Sequence, residues 1–334
     1  PPTATPRPSR AACARRSSST TCGTDVSAWT GNVSRAPSVP CLVKREPGDK
    51  MDLAPYSVLI SIYKNENPEY LNQSLQNVLN QTKPPNEIVI VKDGPLTEDL
   101  ERVLVSFSRE NQNLFKIISY ENNRGLWYAL SVGVPACKNE LIMRMDVDDW
   151  MVSDRAEKQL SVFRDHPEYD CVGTLVTEFE GNIDNPIALV DLPEFQNEIL
   201  AFGKKRCPFR HPTLMYKKSA VMKAGNYQEM PFFEDYDLYM RLASTGCIFY
   251  NIQESLVYIR TSPDFYARRG SLAYMHKMLH FKKTCLERGD YSTFEFLACT
   301  IPHMVVCLMP NRLRAFIYKY LLRSKPKARE FDYE

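Results

Sequence analysis

The chain carries ten cysteines, yet no two stand at C-x-x-C spacing. None has partners at zinc-binding spacing, which removes a structural zinc module from consideration. Cys137, Cys171, Cys247 and Cys299 sit in apolar stretches and read as buried thiols, a pattern suited to a reducing compartment. Charge of one sign is also missing. Lys and Arg number 42 against 40 Asp and Glu, a net +2, so no global field favours nucleic acid. No apolar run reaches the length of a membrane span. The best candidate, 296–309, is short and contains Pro302 and His303. No stretch has the charged, apolar and small-residue layout of a cleaved signal peptide. No strand runs into G-x-x-x-x-G-K-[ST] or G-x-G-x-x-G, which sets aside P-loop and dinucleotide-binding folds.

Residues 1–50 are rich in Pro, Ser, Thr, Ala and Arg and poor in large aliphatic residues. Such a segment cannot bury enough surface to offset the entropy of ordering. It is expected to be disordered and foreign to the fold, with Met51 opening the domain proper. From Tyr56 the texture changes. Residues 56–63 and 87–93 are continuous β-type runs, as strands buried on both faces should be. Between them, Asn67-Pro68 supplies an N-cap and a proline at the first helical position. Leu71, Leu75, Val78 and Leu79 then recur at helical spacing. Gly94-Pro95 turns the chain, Leu100 to Phe107 make a second helix, and 115–120 form a third strand. Strand, helix, strand, helix, strand implies right-handed crossovers and a parallel sheet.

An apolar run, Leu141 to Met145, arrives at three carboxylates in four residues: Asp146, Asp148 and Asp149. Strand side chains alternate faces, so Asp146 and Asp148 can point the same way. Two carboxylates at 4 Å repel by about 4 kcal/mol at an effective dielectric near 20. A hard divalent cation or a set of backbone N–H donors must offset that. Capping of the next helix by Asp149 or Ser153 is the plainer alternative. Ligands in parallel sheets sit at the carboxyl ends of strands, and both Asp93 and Asp146 fall there.

Farther on, 153–166 read as a helix, 170–177 as a strand and 181–193 as a loop-rich insertion. Residues 219–224 form a short helix after a strand. In Phe232-Phe-Glu-Asp-Tyr-Asp237, Glu234 and Asp235 open a helix that ends at Gly246; capping accounts for them as well as chemistry does. Asp237 is expected in solvent. Residues 247–252 and 256–260 read as two strands, and 271–288 as a helix. Between 312 and 329, basic and apolar residues alternate as an amphipathic helix that either packs on the body or lies on an anionic membrane face.

Taken in order, Leu79-Asn-Gln-Thr82, Lys92-Asp-Gly94, Asn123-Arg-Gly125, Asp146-Val-Asp-Asp149 and Glu234-Asp-Tyr-Asp-Leu-Tyr-Met-Arg241 resemble a family 2 glycosyltransferase of the GT-A fold. Arg206-Cys-Pro-Phe-Arg-His211 and Tyr266-Ala-Arg-Arg-Gly270 resemble the bacterial capsule and exopolysaccharide subgroup of the amylovoran-biosynthesis type. The resemblance runs from about Tyr56 to Arg323. It implies an α/β fold with a Rossmann-like, mostly parallel sheet at 51–262 and a helical, basic C-terminal extension at 263–334. It implies transfer of a sugar, with inversion, from a nucleotide-diphosphate donor to a glycan or lipid-linked glycan acceptor in polysaccharide biosynthesis. The site would be cytoplasmic, possible peripheral membrane contact included, with no nucleic acid partner.

By the same resemblance, Asp93 binds the base edge near Ser61, Tyr63 and Glu66. Asn123, Arg124 and Gly125 line the donor pocket, and Asp146 sits near the ribose. Asp148, supported by Asp149, ligates Mn2+ or Mg2+. Asp235 is the general base, oriented by Glu234. His211 either contacts substrate or is structural. Arg260, Arg268 and Arg269 either hold the diphosphate through bidentate geometry or are solvated. Two departures from the family stand out. Lys92 replaces a common acidic residue, and Trp127 and Tyr128 are bulkier than usual after Asn-Arg-Gly. A nucleotidyltransferase is the rival enzyme, though its glycine-rich loop is missing after Ile62. A catalytically silent sugar- or nucleotide-binding subunit is the rival from another class.

Overall fold

The computed structural model describes residues 53–261, 271–310 and 313–314. The expectations for 1–50, for Arg268 and Arg269, and for the basic helix beyond 314 lie outside the described residues.

Four strands form the parallel heart of the sheet: β1 (Tyr56–Ile62), β2 (Glu87–Lys92), β3 (Phe115–Ser119) and β4 (Leu141–Met145). Their order is β3-β2-β1-β4. The chain therefore steps outward from β1 to β3, then returns to the other side of β1. That reversal opens a crevice beyond the carboxyl ends of β1 and β4, the place where such sheets bind ligands. The crossovers are α1 (Pro68–Leu79), α2 (Glu98–Glu110) and α3 (Leu126–Ala136). Asn67 caps α1 through its side chain, which accepts from the Glu69 N–H at 2.8 Å, with Pro68 at the first helical position.

The rest of the sheet is mixed. It contains β5 (Trp150–Met151), β6 (Cys171–Phe179), β7 (Pro186–Val190), β8 (Met215–Lys217) and β9 (Phe249–Arg260). β8 runs antiparallel between β4 and β6, while β9 lies parallel to β6. Alternate strand residues serve two cores. Val58, Ile60, Ile88 and Ile90 pack toward α1, α2 and α4 (Arg155–Asp165). Leu59, Val89 and Val91 share the other core with α3, α7 (Glu234–Ser244) and α8 (Leu272–Arg288). The remaining helices are α5 (Gln196–Gly203), α6 (Lys218–Lys223) and α9 (Thr293–Leu308).

Four expectations need correction. The insertion 181–193 contains β7, an edge strand that pairs antiparallel with β6 and begins at Pro186. Proline is tolerated there because an edge strand need not donate every N–H. The two strands expected in 247–260 are one, β9, whose register against β6 slips at Thr174/Leu175 and at Leu175/Val176. That bulged segment reads in sequence as a break. Asp237 is not in solvent. It is 1% exposed and bridges Arg241 Nε and Arg288 Nη1, each at 2.8 Å, so it ties α7 to α8. Cys299 is only half-buried, unlike Cys137, Cys171 and Cys247.

Candidate active site

β4 delivers its carboxylates into the switch-point crevice. Asp146, Asp148 and Asp149 offer oxygens that all lie within 4.8 Å of one another. After β1, a turn closed by Glu66 N–H to Tyr63 C=O (3.2 Å) folds Glu66 back over the same crevice. The crowding shows in the acidities. Burial, then the charges of Asp148 and Asp146, push the Glu66 carboxyl up to about 7. Burial and Asp146 push Asp148 up to about 6. Asp149 is held well above the usual carboxylate range by burial and by its two neighbours. Ser61 is half-buried at the end of β1 and Tyr63 is exposed beside it.

Two residues expected on the donor also hold the protein together. The Asp93 carboxylate accepts four hydrogen bonds: from Tyr120 Oη (2.8 Å), Arg124 N (2.7 Å), Gly125 N (2.9 Å) and Asn123 Nδ2 (2.9 Å). That fills the four lone-pair sites of a carboxylate. Asp93 therefore pins the 123–125 loop to β2. A Cβ on Gly94 would meet Asn123 N at 2.8 Å, so the two loops touch only because position 94 is glycine. Gly125 has φ +91°, a backbone conformation that needs glycine, and it opens α3. The Arg124 guanidinium stacks on Tyr128, 3.5 Å from the ring centre. Lys92 pairs with Glu101.

Arg260 likewise straps the acidic loop. Its N–H donates to Asp149 Oδ1 (3.1 Å), its Nε to the Asp148 carbonyl (3.2 Å) and its Nη1 to the Gly181 carbonyl (2.7 Å). Tyr70 and Phe179 lie against the guanidinium, with ring centres at 3.9 and 4.7 Å. These contacts engage the backbone N–H, Nε and Nη1. Replacing Asp93 with Asn leaves two loop N–H donors competing for one oxygen, and is expected to cost about 2 kcal/mol of stability, measurable by urea unfolding.

The second acidic group stands at the start of α7. Asp235 accepts from the Tyr236 N–H at 2.7 Å and lines a small cavity with Cys207, Phe209, His211 and Leu238. That apolar wall raises its pKa, against the pull of the Tyr236 N–H, Arg144 and Arg210. Burial, then the Asp235 charge, push Glu234 up to about 7. His211 is buried, with Nε2 2.8 Å from Tyr227 Oη, and burial beside Arg144 keeps it neutral. It lines the same small cavity as Asp235.

One central residue is not among the expected site residues. Arg144, 1% exposed within β4, forms an ion pair with Asp146. Its charge also lowers Asp148, Asp149 and Glu66 on one side and Glu234 and Asp235 on the other. A lone cation inside Leu-Ile-Met-Arg-Met was the available signal, since an arginine in a fully buried strand needs a counter-charge. The two acidic groups, 85 to 89 residues apart in sequence, thus share one guanidinium.

Comparison with known proteins agrees with this geometry. The family described as Glycosyl transferase family 2 matches residues 57–225. A UDP-Gal:alpha-D-GlcNAc-diphosphoundecaprenol beta-1,3-galactosyltransferase of Escherichia coli is 32% identical, over 81% of this chain and 98% of that one. The amylovoran biosynthesis glycosyltransferase AmsE of Erwinia amylovora is 34% identical, over 79% and 98%. Among solved structures, S. aureus TarS 1–349 with UDP-GlcNAc superposes with a TM-score of 0.57 at 16% identity, covering 80% of this chain and 76% of that one. The mannosyltransferase PcManGT of Pyrobaculum calidifontis, with GDP-Man and Mn2+, gives 0.55 at 12% identity, covering 78% and 72%. Sheet order, strand-end carboxylates and these relatives converge: the chain belongs to glycosyl transferase family 2 and has the GT-A fold.

Proposed function

We propose that this protein is an inverting, metal-dependent glycosyltransferase. It moves a sugar from a UDP-sugar to a hydroxyl of a lipid-linked glycan during polysaccharide assembly on the cytoplasmic side of a membrane. The observation that carries the reading is the pairing of two acidic groups around Arg144. The Escherichia coli relative, named for UDP-Gal and a diphosphoundecaprenol acceptor, supports the donor and acceptor classes.

Asp146, Asp148 and Asp149 fit a hard divalent ion, Mn2+ or Mg2+. Their donor atoms are all carboxylate oxygens, and the raised pKa values of Asp148 and Asp149 mark a site short of positive charge. Such an ion supplies charge stabilisation to the diphosphate of the leaving nucleotide. Asp235 accepts the proton from the acceptor hydroxyl as that oxygen attacks the anomeric carbon opposite the leaving group. Glu234 orients the hydroxyl. Asn123, Arg124 and Gly125 form one wall of the donor pocket, Ser61, Tyr63 and Glu66 another. Asp93 and Arg260 keep those walls in place. Arg268 and Arg269 remain candidates for the diphosphate.

The test is UDP release and sugar transfer with a panel of UDP-hexoses and UDP-N-acetylhexosamines, Mn2+ and short diphosphate-lipid acceptors. Turnover that survives both Asp148→Ala and Asp235→Asn would sink the assignment. Nucleotide binding without turnover in the parent would favour a silent binding subunit.

Cation binding has its own signature. A carboxyl whose folded pKa is raised binds its proton more tightly when folded. Its stabilising contribution is complete below the unfolded value and is lost as pH rises through the folded one. For Glu66 that window runs from 4.5 to about 7, and for Asp148 from 3.8 to about 6. The cation-free protein is therefore expected to lose stability across this range. Mn2+ at a hundred times its dissociation constant should restore about 2.7 kcal/mol, roughly 5–10 °C in Tm. The gain should be larger near pH 7.5 than near pH 5 and absent in Asp148→Ala. Scanning calorimetry with and without EDTA reads it directly, and an equal shift in Asp148→Ala would place the ion elsewhere.

A further inference from the structure

We infer that the outer face of α9 is a membrane-docking surface for an anionic lipid bilayer. α9 buries one side against the body through Thr300 and Cys307, with Phe296 and Met304 packed on the core. Its other side carries Phe294, Leu297, Ile301, Val305 and Leu308, at steps of three and four residues. Those steps align them along one face. All five stand in water: Phe294 is 81% exposed and the others 48–62%. The helix has one charged residue, Glu295, and that side chain is occupied in a capping box with Ser292. A surface helix of a water-soluble body normally turns charge outward and apolar residues inward. Here both sides are apolar, and a contiguous exposed apolar strip marks an interaction site.

Length and charge choose the occupant. Sixteen residues rise about 24 Å, short of the roughly 30 Å needed to span a bilayer. With its inner side held by the protein, the helix can lie in the headgroup layer but cannot cross. The sequence that follows, 310–329, holds seven Lys and Arg and no Asp or Glu; Arg314 is buried and donates to the Val306, Cys307 and Met309 carbonyls, which leaves six for the lipid. A positive flank beside an apolar strip is complementary to anionic lipid. A second copy of this chain fits less well. A stable dimer needs about 800 Å2 from each partner, more than a strip one residue wide supplies.

The inference stands apart from the sugar-transfer reading, because vesicle binding is read without turnover. The full chain is spun with phosphatidylcholine vesicles, with and without phosphatidylglycerol. The parent is expected to pellet with the anionic vesicles and to be released by salt. Leu297→Glu/Ile301→Glu should lower the partition coefficient by about tenfold or more. The milder Leu297→Ser/Ile301→Ser should lower it less, with circular dichroism and Tm unchanged, which guards against misfolding. Charge removal by Lys325→Gln/Lys327→Gln should cost about fivefold per lysine on anionic vesicles only. A parent that stays in the supernatant overturns the proposal, as do folded serine and glutamate variants that pellet like the parent. So does a parent dimer that the serine variant dissociates, since a second copy would then be the occupant.

Discussion

Asp235→Asn is expected to lower kcat for sugar transfer by about a hundred- to ten-thousandfold, the range for losing a positioned general base. Donor KM should change little. Asparagine keeps the shape of the side chain, and its oxygen can still accept the 2.7 Å hydrogen bond from Tyr236 N–H. The loss would therefore fall on proton removal and leave the helix start intact. Steady-state kinetics checks the rate, and calorimetric titration with UDP checks that the donor site survives. The parent should also lose activity as pH falls below about 7. Glu234, pushed up to about 7, gains its proton there, and Asp235 gains one above the usual carboxylate range. The residual rate of the variant should lack the part of that limb due to Asp235. If Asp235→Asn keeps more than about a tenth of the parental kcat, the base lies elsewhere, and Glu234→Gln becomes the variant to compare.

The second large effect belongs to Arg144→Met. Methionine fills the buried position in β4 but removes a charge that, among the described residues, acts on both acidic groups. Asp146 then loses its ion-pair partner. Breaking a buried pair costs about 3 kcal/mol, at the low end of its range because Asp146 keeps contact with water. Urea denaturation should read that loss as a lower midpoint. The same guanidinium lowers Glu234 and Asp235, so its removal lets both carboxyls rise. The acid limb of the pH–rate profile should then move to higher pH. Both readouts matter, since a purely structural arginine would lower stability without moving the limb. Stability within about 1 kcal/mol of the parent and an unmoved limb would together refute the shared-charge account.

Much of this was legible before any coordinates. The Asn67 cap, Pro68 and the spacing of Leu71, Leu75 and Val78 define α1 to within a residue. The order of the early strands and their parallel pairing follow from the alternation of strand and helix. The clustering of Asp146, Asp148 and Asp149 follows from their position at a strand end. Other features were not legible. β7 is five residues in a stretch rich in turn-forming residues, and only pairing with β6 makes it a strand. Asp237 reads as a surface carboxylate until α8 brings Arg288 against it.

The sequence by itself determined the helices, the parallel strands and the placing of acidic residues where those strands end. Periodicity, capping and turn chemistry act between residues a few positions apart, so they are written locally. Tertiary structure decided what each polar side chain does. Asp93 and Asp148 are both strand-end carboxylates. The first finds its partners 27 to 32 residues away and holds a loop, whereas the second stands beside other negative charges that raise its pKa. Arg260 reaches back 112 residues to the acidic loop. Chain-distant partners set the local dielectric and fill the lone pairs, so the same strand-end position gives two carboxylates of different character.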